Sequence, residues 1–307
     1  MEVTSAALAV LAVALAWPVP LWLGRASWPS RSPAAALLLW QAIALAGGLS
    51  MIGALLTFGL APYGDDLIGA GLALLATGFD APVFFWHVIA ACGAVFLGGH
   101  LLLNLALTVW RSEVQRRRHA QLVRLLSSPL PDNPGARLLD TPAPVAYCLP
   151  GPLTSVTVFS AGLVSLLSGD ELQAVIEHEK AHVTQRHDIV LIAFRAWNAS
   201  LPWFPIASRA ERAVGRLVEM LADDQARRVV VPAVLGRAIV LVGATDAPEA
   251  RPDWGRLTND DLRARVIRLD RDAPLTRSAT ALVAAAAVAL VLVPTVLILG
   301  PGVAGLL

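Results

Sequence analysis

Four stretches of this chain, residues 3–23, 34–60, 82–110 and 279–299, contain no Asp, Glu, Lys or Arg. A helix needs roughly 20 apolar residues to cross a hydrocarbon core of about 30 Å, so each stretch is long enough to span a bilayer. Hydrophobic residues make up 56% of the 307 and charged residues only 15%, against about 25% charged in ordinary globular chains. The balance of 24 basic and 23 acidic side chains excludes a surface built for nucleic acid. Two cysteines, Cys92 and Cys148, form neither a disulfide framework nor a cysteine-rich metal site. The first stretch lacks the basic start of a signal peptide and is followed at once by the second, so it is expected to be retained as a span.

Arginines in short loops mark the cytoplasmic side of a membrane. The loop at 24–33 carries Arg25 and Arg31 and no acid, whereas the loop at 61–81 carries Asp65, Asp66 and Asp80 and no base. After the third stretch come Arg111, Arg116, Arg117, Arg118 and Arg124, and Arg271 and Arg277 precede the fourth. The expectation is three spans, a cytosolic segment over 111–277, and a fourth span with a short external tail over 278–307. Both termini then lie outside, and residues 1–110 form the N-terminal membrane region. Within the third span His100 and Asn104, four residues apart, share one helical face and are expected to hydrogen-bond between helices.

The segment after the third span reads first as a basic helix running on to about Ser127, then as a Pro/Gly loop over 129–144. Short strands follow at 145–149 and 155–159, with a turn at Pro150, Gly151 and Pro152. Ser168 and Glu171, three apart, form a capping box that opens a helix. That helix carries His178-Glu179-Lys180-Ala181-His182, an HExxH pattern. Histidines four apart on a helix differ by roughly 40° around its axis, so both rings can reach one ion. Glu179, one step round from His178, can then contact a water at the ion without ligating the ion itself. One zinc per chain is the expected occupant, with Glu179 as general base. His187 falls roughly 180° from His178 on a continued helix and is expected to be solvated or to support a ligand. Asp188 has no better claim.

A second helix over 207–230 supplies Glu219-Met220-Leu221-Ala222-Asp223, whose two carboxylates share a face. If Glu219 ligates the metal, Asp223 can orient a ligand histidine through its free ring N–H. Glu211 has no acid four residues on, and Asp224 points about 100° away from Asp223.

HExxH followed by ExxxD resembles the gluzincin membrane proteases. Three spans before the protease segment and one after it resemble the BlaR/MecR family of antibiotic sensor-transducers. The resemblance also touches Ala146-Tyr147, Ala161-Gly162-Leu163, Glu171-Leu172 and Pro202-Trp203-Phe204-Pro205. It implies zinc at His178, His182 and Glu219, Glu179 as the base, Asp223 behind a ligand, and proteolytic relief of repression by a winged-helix repressor. The antibiotic-sensing members carry an external penicillin-binding domain after the last span, where this sequence has a few residues, so β-lactam sensing by this chain alone is not expected.

The fold expected is therefore a mainly α membrane protein with four transmembrane helices and a cytosolic mixed α/β zincin-like domain between spans 3 and 4. The apolar stretch 189–206 contains Arg195, Asn198 and two prolines. It is expected to lie at the membrane surface or against the bundle, with Trp197 and Trp203 at the interface. Helices are expected at 231–244 and 260–269, the latter's Asp261, Arg263, Arg265 and Arg268 facing solvent and lipid headgroups. Substrate would bind extended along the strand at 155–159, with Tyr147 or an arginine as candidate oxyanion stabiliser. Expected partners are a protein or peptide substrate, the lipid bilayer and a second copy in a homodimer, with no direct nucleic acid. Alternatives to the regulatory protease are an HtpX-type quality-control protease and a non-enzymatic metal-dependent sensor or scaffold.

Overall fold

A computed structural model describes residues 1–78, 84–130, 133–149, 156–202, 205–244, 258–270 and 274–304. The chain is mostly helical, with one small sheet. The first apolar stretch forms two helices, α1 (Glu2–Ala16) and α2 (Pro18–Arg25). The break falls at Trp17 because Pro18 lacks an N–H and restrains the residue before it. The second stretch is α3 (Pro33–Leu60), which starts on a proline at its first turn, where no amide donor is needed. It is the central helix of the apolar bundle, packed against α1, against α5 (Phe85–Leu126) and against α12 (Arg277–Ala304). At Gly59 a Cβ would stand 2.6 Å from the backbone nitrogen of Ala91, so α3 and α5 meet as closely as they do only because this residue has no side chain. The Ser5 hydroxyl donates to the Ala54 carbonyl at 2.9 Å and ties α1 to α3.

Four helical segments, Glu2–Arg25, Pro33–Tyr63, Phe85–Leu126 and Arg277–Gly300, are long and apolar enough to cross a membrane. The 61–81 segment is not simply a loop. It holds α4 (Leu67–Thr77), capped by Asp66, whose Oδ1 accepts from the Gly69 amide at 2.7 Å. Eleven residues rise only about 16 Å, too short to span. Asp80 and Pro82 lie outside the described residues. The 42 residues of α5 join the third apolar stretch to the basic helix beyond it without a break, as the sequence implies.

The expected Pro/Gly loop is instead a hairpin of β1 (Ser127–Leu130) and β2 (Asn133–Leu139). With β3 (Ala146–Leu149) and β4 (Val156–Ser160) it forms a sheet of order β1-β2-β4-β3, in which β2 and β4 run parallel and the other pairs antiparallel. Pro129 fits because β1 is an edge strand, where a missing donor is tolerated. The inner position of β4 corrects the expectation that substrate would pair at 155–159: that strand is flanked on both sides, and the free edge near the site belongs to β3. The turn at Pro150-Gly151-Pro152 and Ser155 lie outside the described residues.

After α6 (Ala161–Leu166) comes α7 (Gly169–Thr184), opened by the expected capping box: the Ser168 amide donates to Glu171 Oε2 at 2.8 Å, and the Ser168 hydroxyl accepts from the Glu171 amide. The stretch 189–206 becomes α8 (His187–Ser200), which turns back into α9 (Pro205–Ala226). Of the two expected placements for this stretch, the one against the bundle is found. Leu191 and Phe194 of α8 and Ala210, Ala213, Val214, Leu217 and Val218 of α9 share one core with Leu15, Trp40, Ile43 and Ala46 of the apolar helices. Trp197 packs over Gly48, where a Cβ would stand 3.7 Å from its ring. His100 Nε2 hydrogen-bonds the Ser200 carbonyl at 3.1 Å. His100 lies ten residues, about 15 Å of helix, inside the apolar end of α5 at Trp110, so the tip of this hairpin reaches well down the bundle. Trp203 lies outside the described residues. Finally α10 (Pro232–Ala244) and α11 (Asn259–Asp270) close over α7 and α9 through Ala174, Ala226, Leu235, Ala238, Ile239 and Leu269.

Candidate metal centre

Three side chains converge where α7 crosses α9. His178 Nε2 and His182 Nε2 are 3.2 Å apart, His178 Nε2 lies 3.3 Å from Glu219 Oε2, and His182 Nε2 lies 3.5 Å from Glu219 Oε1. Among the described residues these three form the group of histidine and carboxylate donors close enough to share an ion. A tetrahedral zinc with bonds of about 2.0–2.1 Å separates any two of its ligand atoms by about 3.3–3.4 Å. The donor triangle therefore has the size and the N/N/O chemistry that zinc requires.

Both rings are held from behind. His178 Nδ1 stands 3.0 Å from Oδ1 of Asp223, which is 1% exposed. Burial by itself would lower the His178 pKa, but Asp223 and Glu219 outweigh it and hold the ring up at about 9. Burial would likewise raise Glu219, yet His182, His178 and Arg265 keep its carboxyl well below the usual glutamate range. His182 and His187 are pushed the other way, chiefly by burial, to about 3 and about 4, and are neutral. His182 Nδ1 contacts His187 Nδ1 at 3.0 Å, and His187 Nε2 contacts Gln185 Oε1 at 2.9 Å. The amide oxygen can only accept, so His187 donates from Nε2 and accepts on Nδ1. His182 then carries its proton on Nδ1, and its Nε2 lone pair faces the donor triangle.

This arrangement decides between the two expectations for His187 and corrects the solvated one. It is 3% exposed and supports His182. The 180° separation assumed one continuous helix, but α7 ends at Thr184, and Arg186 takes the left-handed conformation at φ 50°, which swings His187 back over His182. The other carboxylates on α9 are engaged elsewhere: Glu211 Oε2 accepts from Asn198 at 2.9 Å, and Asp224 pairs with Arg268 and Arg227.

The larger correction concerns α11. Arg265 does not face solvent or headgroups. It is 5% exposed, and it donates from Nε and Nη2 to the two oxygens of Asp223, both at 2.7 Å, with Nη1 3.2 Å from Glu219 Oε2. One sequence signal pointed to this, since Arg265 shares a helical face with Leu262 and Leu269, three residues before it and four after.

His178 of the triangle lines a cavity of about 970 Å³. His178, Glu179 and Arg265 line it, together with Tyr147 and Cys148 of β3, the apolar Val175, Leu235, Ile239 and Leu262, and Val109, Glu113 and Arg116 of α5. Burial pushes the Cys148 thiol up to about 11, despite a bond to Thr157, so it is not a thiolate nucleophile.

A donor triangle on an HExxH helix, backed by oriented carboxylate and imidazole and lining a peptide-sized cleft through His178, defines a metallopeptidase domain. Residues 111–238, between the third and fourth apolar stretches, match the family model of Peptidase family M48. The match carries the protease part of the sequence resemblance and not its BlaR/MecR part. It begins where α5 leaves its apolar run and ends within α10, before Arg265. No curated protein and no solved structure matches the chain.

Proposed function

We propose that this chain is an integral membrane zinc metalloendopeptidase that hydrolyses peptide bonds at the cytosolic face of the plasma membrane. The observation that carries the reading is the triangle of His178, His182 and Glu219, whose His178 lines a cavity together with Glu179. Zinc bound there supplies Lewis acidity, acidifying water and polarising the scissile carbonyl. Glu179 accepts the proton of the attacking water and returns it to the amine nitrogen as the C–N bond breaks. Asp223 and His187 hold the two ligand rings in the tautomers that ligation needs. A substrate lies extended against the free edge of β3, which pairs only with β4 among the described residues, and its side chains meet the apolar wall.

The four long apolar helices cross the membrane, and the arginine-rich loops put residues 111–277 in the cytosol. In the reading favoured by the resemblance, the substrate is a soluble repressor of the winged-helix type, and a homodimer is the assembly to test. The second reading is quality control of membrane proteins. It is favoured by Val109, Glu113 and Arg116 lining the cleft at the junction of the apolar and basic parts of α5, where a membrane-anchored chain would present itself. Comparing protein N-termini in cells carrying the native chain or Glu179→Gln separates them. One soluble regulator losing a defined new N-terminus supports the first, loss of many membrane-protein fragments supports the second, and no difference under several stresses removes both.

A further inference from the structure

We propose that Arg265 is a positioning residue for the metal centre, holding Glu219 and the Asp223 carboxylate behind His178 in the orientation that brings the three ligand atoms together. The inference rests on the metallopeptidase reading and adds a residue that lies outside the matched segment 111–238.

Each of the three guanidinium nitrogens faces a carboxylate oxygen. Two of its donors form a fork with both oxygens of Asp223, fixing the plane of that carboxylate, and Asp223 Oδ1 in turn faces His178 Nδ1. Nη1 faces the same Glu219 oxygen that lies 3.3 Å from His178 Nε2. A single planar group thus sets the orientation of one ligand through an intermediary and touches a second directly. It lines the cavity at only 5% exposure, with all three nitrogens already turned to carboxylates. The charges also balance: Glu179, Glu219 and Asp223 bring three negative charges against one from Arg265, leaving the two that a divalent ion neutralises.

The supporting helix is anchored to the rest of the molecule by its next turn. Arg268 donates to the Ser30 carbonyl and to Asp224 Oδ2, each at 2.6 Å, so α11 is tied both to α9 and to the loop between the first two apolar stretches.

Charge alone and positioning predict opposite results. A cation 3.2 Å from a ligand carboxylate repels a metal ion, so if Arg265 acted only as a charge, removing it would tighten zinc binding. If it positions Asp223 and Glu219, removing it weakens binding, by about 10–100-fold for loss of a partner behind the ligands. The test uses the full chain in detergent, with Zn2+ affinity measured by chelator competition and the visible absorption of bound Co2+ reporting ligand geometry.

Arg265→Met should weaken Zn2+ by that factor and change the Co2+ spectrum, whereas Arg268→Met, which loosens the same helix without touching Asp223 or Glu219, should stay within about threefold. Arg265→Lys keeps the buried charge but cannot form the fork, and it should weaken Zn2+ with a changed spectrum even if Arg265→Met does not fold. Unchanged or tighter binding in the folded Arg265 variants overturns the proposal, as does an equal loss in Arg268→Met. A wild-type chain that takes up no Zn2+ at all overturns the metallopeptidase reading itself, a different result from a wild type that binds and an Arg265 variant that binds equally well.

Discussion

Glu179 and His187 stand at different distances from the chemistry and should fail differently. Glu179→Gln keeps the side chain's shape and removes the base, so peptide hydrolysis should fall by about 10²–10⁴-fold while Zn2+ content is unchanged, as read by a peptide assay beside metal analysis. His187→Phe fills the buried site at 3% exposure but takes away the acceptor for His182 Nδ1. It should weaken Zn2+ by about tenfold with little change in fold, checked by chelator competition and circular dichroism. These positions differ in how visible they are in sequence. Glu179 is placed by the four-residue spacing of its own helix. His187 is placed by one backbone residue, Arg186, whose φ of 50° ends the helical phase on which any spacing argument depends.

The HExxH helix α7 is secured at its start by Ser168 and Glu171, and Glu171 also reaches Arg237 of α10 at 2.8 Å. The Ser168 amide and hydroxyl hold the Glu171 carboxyl below its usual range, with a smaller contribution from Arg237. A carboxylate depressed in the folded state contributes stability that is complete above the pKa of the unfolded chain and is lost as pH falls through the folded value. Glu171→Gln should therefore lower the melting temperature at pH 7, and the difference from wild type should shrink to nothing as pH drops below the ordinary glutamate range. Thermal melts of both proteins across pH 7 to 3 test this. Capping boxes are local and were legible in the sequence. The β1–β2 hairpin was not, because Pro129 reads as loop unless its strand is known to lie at an edge, and edge position is a property of the assembled sheet.

On the scale of the whole molecule, the protease segment is not a separate body hung beneath the apolar helices. Its α8–α9 hairpin shares a core with α1 and α3, and Glu219 and Asp223 stand on the continuation of the helix that forms that core. Disturbing the bundle should therefore disturb the site. Gly59→Leu forces α3 away from the backbone of α5 and should cost about 1–3 kcal/mol of stability, seen as a lower melting temperature in detergent, together with weaker Zn2+ binding. Unchanged Zn2+ binding in a destabilised Gly59→Leu chain would show that bundle and site are uncoupled. The membrane orientation proposed above is open to a direct check as well: reporters inserted at Asp65 and at Arg228 should fall on opposite sides of the bilayer.

The sequence alone determined what a helix or a run of residues decides within itself. The apolar stretches follow from the length needed to bury a peptide backbone in lipid, the HExxH and ExxxD faces from 3.6 residues per turn, and the α7 cap from two residues three apart. Tertiary structure decided everything that depends on two elements meeting. It turned β3 rather than β4 into the free edge, folded 189–206 back against the bundle, and brought Arg265 of α11 across 42 residues onto Asp223. A charged residue on a polar helix reads as solvated because most are. Leu262 and Leu269 mark its face as inward, but only the approach of Asp223 and Glu219 makes it cheaper for Arg265 to leave water than to stay, and which carboxylates it meets has no signature in local spacing.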